Sequence, residues 1–355
     1  MQGSPFRKPS HKPAIAFISS YGIMIFLVVL CLFFQVMTGR AASPDGGIAG
    51  WWGNGTFLTL RNSANILRQV SVNTIIAVGM TMVIISAGID LSVGAILALA
   101  GVLSTAIIMR GFPPPFPYPP DASMTPLWPL AISVPVAVIA AAAVGAICGM
   151  HNAIPIIKLR VPPFIATLAM FSLARGFAYL YVNGGQVGNL PRKFTSAVGN
   201  GPLMILVALG IVIAGHILLT RTRFGRSIYA VGGNEQAARL SGINVNKVKF
   251  WVYVLCGTLS GIAGVLLAGR IGAGDSNSGL GYELNAIAAV VLGGTSLSGG
   301  IGTIPGTLLG AVVIGCLETG LGLMGINWFV QMVVKGYVIL LAVVLDQMKK
   351  GKSVS

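Results

Sequence analysis

Eight acidic residues, three histidines and four cysteines are all that this 355-residue chain offers to catalysis or metal binding. None lies at a spacing such chemistry uses. Hydrolysis inside a membrane needs a Ser/His pair, paired aspartates or a His-rich zinc set. His11, His151 and His216 are scattered, and Cys31, Cys148, Cys256 and Cys316 sit singly in or beside apolar runs, as reduced packing residues do. No Gly-x-x-x-x-Gly-Lys-Ser/Thr loop is present, so the chain lacks that seat for ATP. The expectation is a non-catalytic chain with no metal and no cofactor of its own.

The polar residues within apolar runs are few, and each charge buried in lipid costs at least about 2.5 kcal/mol, so each is a candidate for function. Asp90, followed by Ser92, lies in the tight Gly88-Ile-Asp-Leu turn between two apolar runs and reads as the cap of the next helix, with a transport role as the alternative. Arg175 and Lys335 are placed to snorkel or to meet carbonyls, and Glu318 to face a partner subunit. Neutral Asn73, Thr74, Asn285, Thr295, Ser296 and Ser298 suit hydrogen bonds to a hydroxylated solute along a translocation pathway, or bonds between helices. Asn73, Asn285, Thr295 and Ser298 are the pathway candidates. The glycine cluster Gly293-Gly294 to Gly302 permits either close helix packing or a backbone break, and Gly300 is read as a structural turn.

The one polar island is Arg221 to Lys249, which holds six of the 23 Lys and Arg residues between two apolar runs. Asn234 suits an N-cap, Glu235 puts an acid in the first turn, and Gly242 suits a left-handed stop. The resulting helix is too short to be stable alone in water. Ala237, Ala238, Leu240 and Ile243 read as exposed, so docking into a partner's groove is expected.

The elements that position these residues are membrane helices. Hydrophobic residues make up 55% of the chain and charged ones 9%, against the ~25% of soluble domains. Apolar runs of roughly 20 residues recur, each enough for the ~30 Å hydrocarbon core. The fold class is therefore all-α, a polytopic transmembrane helical bundle. About ten spans are expected, at 16–37, 69–87, 92–110, 129–150, 162–182, 202–220, 250–268, 284–299, 304–322 and 327–346. Residues 1–15 form an N-terminal tail, 16–346 the transmembrane domain and 347–355 a C-terminal tail. With both termini and 221–249 in the cytoplasm, 14 Lys and Arg residues lie inside and seven outside, the bias that sets topology. The net charge of +15 punctuates span ends instead of forming a stripe, which argues against nucleic acid. The first apolar run is too long for a signal peptide and is read as a retained span. Residues 59–68 read as an interfacial amphipathic helix, and 111–129, with eight prolines, as an extended loop. Residues 183–201 read as a turn-filled loop. Asn73–Gly101 and Asn285–Val313 share several identities at an offset of 212, which suggests an internal repeat in one membrane orientation.

Three stretches carry a resemblance. Asn73 to Gly94, with its Ser86-Ala-Gly-Ile-Asp-Leu-Ser-Val-Gly94 end, looks like the front signature of ribose-type (monosaccharide) ABC importer permeases. These form a family of binding-protein-dependent inner-membrane components that also includes branched-chain amino acid permeases. Arg223-Phe-Gly-Arg and Ala230-Val-Gly-Gly-Asn-Glu-Gln-Ala-Ala-Arg-Leu-Ser-Gly-Ile243 resemble the family's cytoplasmic coupling loop. Ala288 to Gly310 is similar to its third signature. The likeness runs from about Thr56 to Asp346, and the Pro-rich loop is longer than the family usually carries. The resemblance implies a multi-pass permease of the bacterial inner membrane that moves a pentose or hexose from periplasm to cytoplasm. It implies a second permease copy, a periplasmic sugar-binding protein, and a cytoplasmic ABC ATPase with fused nucleotide-binding domains that binds the ATP and Mg. Gly232, Gly233, Asn234, Glu235, Ala237, Ala238, Arg239 and Gly242 would then meet the ATPase. Permeases for branched-chain amino acids, nucleosides, cyclitols or furanosyl signals, and a self-contained secondary carrier, are the alternatives.

Overall fold

The computed structural model describes residues 13–119 and 126–351; the outer parts of both tails and the middle of the Pro-rich loop lie outside them. From the N-terminal side, α1 (Pro13–Ala42) and the short α2 (Gly47–Asn54) lead to α3 (Leu60–Ile85), α4 (Val93–Arg110), α5 (Leu130–Lys158) and α6 (Pro163–Val182). A two-residue strand β1 (Gln186–Val187), a single turn α7 (Arg192–Thr195) and a π turn at 196–200 precede α8 (Leu203–Arg221). Then come α9 (Arg223–Gly233), α10 (Glu235–Leu240), α11 (Val245–Ile271), β2 (Gly274–Asp275), α12 (Tyr282–Leu292), α13 (Ile304–Leu323) and α14 (Trp328–Gly351).

Among the described residues, eight helices are long and apolar enough to cross a membrane: α1, α3, α4, α5, α6, α8, α11 and α13. The remaining two expected spans fall on α12 and α14. Residues 284–299 do not form one span, because helix ends at Leu292 and the glycine cluster follows as a turn. At 1.5 Å per residue the 11-residue α12 covers about 16 Å, half of the hydrocarbon core. Residues 59–68 are likewise not a separate interfacial helix. Thr59 caps α3, accepting from the Asn62 amide, and the helix then runs unbroken to Ile85. The 183–201 segment holds more than turns, since β1 pairs antiparallel with β2.

The bundle is built around α3 and α4, which are almost wholly enclosed, whereas α1, α5 and α8 turn most of their apolar surface outward. In lipid no hydrophobic force draws helices together, so contact depends on how closely backbones approach. Gly145 and Gly149 of α5 meet Gly257 and Gly261 of α11, where a Cβ on any of the four would strike the facing backbone. That crossing of two small-xxx-small stripes is the tightest way to seat α11 beside α5.

The two stretches related by the 212-residue offset share a form: helix, break, helix. The break at 86–92 divides α3 from α4, and that at 293–303 divides α12 from α13. They touch, because the Gly300 amide donates to the Ile85 carbonyl at 2.9 Å. Beside them, Thr81 on α3 and Thr307 on α13 share a buried hydroxyl–hydroxyl bond of 2.8 Å.

Candidate functional site

The polar island is two helices, not one. Thr222 caps α9 by accepting from the Gly225 amide at 3.0 Å. Asn234 is extended, with φ −158 and ψ 106, and breaks the chain direction. Its side chain accepts from the Ala237 amide at 2.9 Å, which starts α10. Gly242, at φ +82, ends α10; its amide bonds to the Arg239 carbonyl and the Ile243 amide to that of Ala238. Glu235 then ties α10 down, with Arg239 Nη2 at 2.8 Å one turn on and Lys249 Nζ at 2.7 Å on α11. Bonds from Lys249 first, and then Arg239, hold the Glu235 carboxyl below its ordinary range.

The docking surface differs from the sequence expectation at two positions, Ala238 and the half-buried Ile243. Leu240 is 91% exposed and Ala237 is exposed, but Ala238 is only 4% exposed and packs inward, because the Gly242 turn folds Ile243 back over that face of α10. Arg239 and Lys249 also line an open cleft of about 810 Å³ that reaches Arg160 and Pro162 in the α5–α6 connection.

The end of α9 touches the helix breaks directly. A Cβ on Gly232 would collide with the Ile85 carbonyl and crowd the Gly300 amide. Gly299 and Gly300, at φ +85 and +75, sit against Gly232 and Gly233, and Tyr229 Oη donates to the Gly302 carbonyl at 2.7 Å. The island is therefore joined to both breaks at once. Tyr229 and Ile85 escaped the sequence reading; the adjacent Gly232-Gly233 pair was the available signal, since paired glycines on a helix end invite backbone contact.

Asp90 is fully buried, but it is not the helix cap itself. Ser92 holds the N-cap position of α4 without a side-chain cap bond, and Asp90 Oδ1 instead accepts from the Ser92 amide at 2.9 Å and from its hydroxyl. Asn152 on α5 adds a bond of 2.9 Å to the Ser92 hydroxyl. The carboxylate thus fixes the turn two residues before the cap. Arg175 donates to the carbonyls of Ser276 and Ser278 and lies 5.8 Å from the Phe171 ring centre.

The four pathway candidates do not share one site. Asn73 and Thr295 are buried, each with a side-chain oxygen lacking a hydrogen-bond partner, and Thr295 and Ser298 belong to the break next to α9. Asn285 alone faces an open cleft of about 540 Å³ between α3, α12, α13 and α14. There Glu318 Oε1 accepts from Asn285 Nδ2 at 2.9 Å and from Lys335 Nζ at 2.8 Å. Gln69 Nε2 donates to Glu318 Oε2 at 3.0 Å. Within the chain, Glu318 and Lys335 thus pair with each other. Two lone opposite charges on successive apolar helices carried that signal, since each needs compensation at depth. Among the described residues no group of three His, Cys, Asp or Glu is placed to hold a metal.

Comparison with known proteins places the chain in a family. The family model for the branched-chain amino acid transport system / permease component matches residues 62–343. The ribose import permease protein RbsC of Escherichia coli is 46% identical over 302 residues, covering 83% of this chain and 88% of that protein. Its namesake in Bacillus subtilis is 45% identical over 305 residues, covering 84% and 88%. The galactose/methyl galactoside import permease protein MglC of Haemophilus influenzae is 36% identical over 310 residues, covering 84% and 89%. No solved structure matches the chain. With its signatures at the two touching breaks and at the island that meets them, the chain is a multi-pass inner-membrane protein that belongs to the branched-chain amino acid transport system / permease component family.

Proposed function

We propose that this chain is the membrane permease subunit of an ABC importer for a monosaccharide, carrying a pentose or hexose such as ribose inward. The observation that carries the reading is the 46% identity to a ribose import permease along most of both chains. The permease itself is non-catalytic. Its work is to hold a path that a separate motor opens and closes.

In this reading α10 is the contact with a cytoplasmic ATPase with fused nucleotide-binding domains. Gly232 to Gly242, with Glu235, Ala237 and Arg239 on the surface, receive its movement. A periplasmic binding protein delivers the sugar at the other end, a second permease copy, identical or closely related, completes the path, and both termini lie in the cytoplasm. The island's caps, its exposed Leu240 and its junction with both breaks support this, because a force applied to α10 passes through α9 to backbone inside the bundle.

Reconstitution tests the reading. Vesicles holding the permease, ATPase and binding protein are expected to accumulate D-ribose only when ATP is present and all three proteins are included. Leucine, offered in the same assay, separates the amino-acid branch of the family. Gradient-driven ribose uptake by the chain alone would establish a secondary carrier instead.

A further inference from the structure

We propose that the cleft around Glu318 and Lys335 is a weak binding site for the transported solute, built for an uncharged polyol. The inference rests on the importer reading above and adds to it the residues that meet the solute.

The cleft lies away from the junction with the island. Thr81 and Thr307 meet beside the breaks, and twelve residues further along both helices Thr319 Oγ1 donates to Gln69 Oε1 at 3.3 Å. At 1.5 Å per residue that places the cleft about 18 Å further toward the opposite end of the bundle. A solute delivered at that end meets it before reaching the breaks.

Its chemistry is specific. Each sugar hydroxyl both donates and accepts, so a site for several of them needs both functions in a small space. Glu318 accepts, Lys335 donates, and the amides of Gln69 and Asn285 do both. Tyr282 and Trp328 line the same cleft and offer apolar ring faces to the C–H side of a sugar ring. Glu318 and Lys335 together carry no net charge, so the pair adds no net charge that would draw an ionic solute in preference to a neutral one.

The network also explains why the site must be weak. Glu318 already has three partners, from α3, α12 and α14, so an arriving hydroxyl replaces a bond that exists instead of satisfying one that is missing. Such an exchange yields little net free energy. A transit site needs that property, since a solute held tightly would not leave.

The test uses the complete transporter with its ATPase and binding protein, in a background where the four native cysteines are replaced. Thr319→Cys and, as a second position on the cleft, Asn65→Cys are challenged from the binding-protein side with membrane-impermeant anionic and cationic thiol reagents. Asn54→Cys, exposed on α2, is the reference. Both cleft cysteines are expected to react, and saturating D-ribose under turnover should slow them at least threefold without affecting Asn54→Cys. Adding Glu318→Gln should raise the anionic-to-cationic rate ratio at the cleft, and adding Lys335→Gln should lower it. A purely structural ion pair would give no solute protection. Unreactive cleft cysteines, or unprotected ones in a transporter that imports ribose, would overturn the cleft assignment. Failure of the unmutated complex to import ribose, galactose or xylose would overturn the importer reading and the cleft with it.

Discussion

Glu235 shows how much a single side chain decides in the polar island. It is an acid in the first turn of a six-residue helix that cannot hold itself together in water, and it binds cations on two different helices. Charge reversal, Glu235→Arg, sets three cations against one another. ATP hydrolysis stimulated by solute-loaded binding protein is expected to fall at least tenfold in such a transporter, with membrane insertion retained. Unchanged stimulation would remove α10 from the coupling path. The pH dependence follows from the depressed carboxyl. A lowered folded-state value means that the stabilisation is complete above the ordinary glutamate value of about 4.3 and is lost as pH falls through the lower, folded value. Amide exchange in α10 should therefore stay constant between pH 8 and 5, once corrected for intrinsic rates, and accelerate only in stronger acid. Bulky replacement of Ala238, which the sequence alone would choose to block docking, acts instead on the packing under α10.

At the scale of elements, the contact between α9 and the two breaks makes a sharp prediction. Gly232→Val drives a side chain into the Ile85 carbonyl, and overpacking of this kind costs about 1–3 kcal/mol. Uptake is expected to fall at least tenfold, while Gly210→Ala on α8, where the new methyl meets open space, leaves it unchanged. Equal uptake in both variants would show that the junction transmits nothing. The elements also show what a sequence makes legible. The caps at Asn234 and Gly242 are local chemistry, so the short helix could be read from its own residues. The division of the island into α9 and α10 was hidden, because Arg223 to Gly233 has no tertiary meaning until Gly232 meets Ile85. The half-length α12 was hidden for a related reason: Gly293 to Gly299 carries no charge to interrupt the apolar run before it, and its left-handed turns at Gly294 and Gly299 appear only in three dimensions.

For the whole molecule, hydropathy alone was enough to establish a helical membrane bundle, because lipid leaves the backbone few other solutions. It did not reveal which helices are central. The enclosure of α3 and α4, and the meeting of Gln69, Asn285, Glu318 and Lys335 from four helices, depend on packing between segments up to 249 residues apart. With no Gly-x-x-x-x-Gly-Lys loop in the chain, the purified permease is expected to show no ATP binding by calorimetry at millimolar nucleotide, and to gain it only with the ATPase present. Tight binding by the permease alone would contradict the division of labour proposed for the complex.

The contact of Gly232 with both Ile85 and Gly300 has a practical consequence for anyone who would re-engineer such a transporter. The island looks like a cassette that could be transplanted to attach a permease to a foreign motor. It is only one third of a joint whose other faces lie about 150 residues upstream and 70 downstream in the chain. A working graft would have to move all three surfaces together, as a discontinuous module, or the new motor would turn without engaging the path.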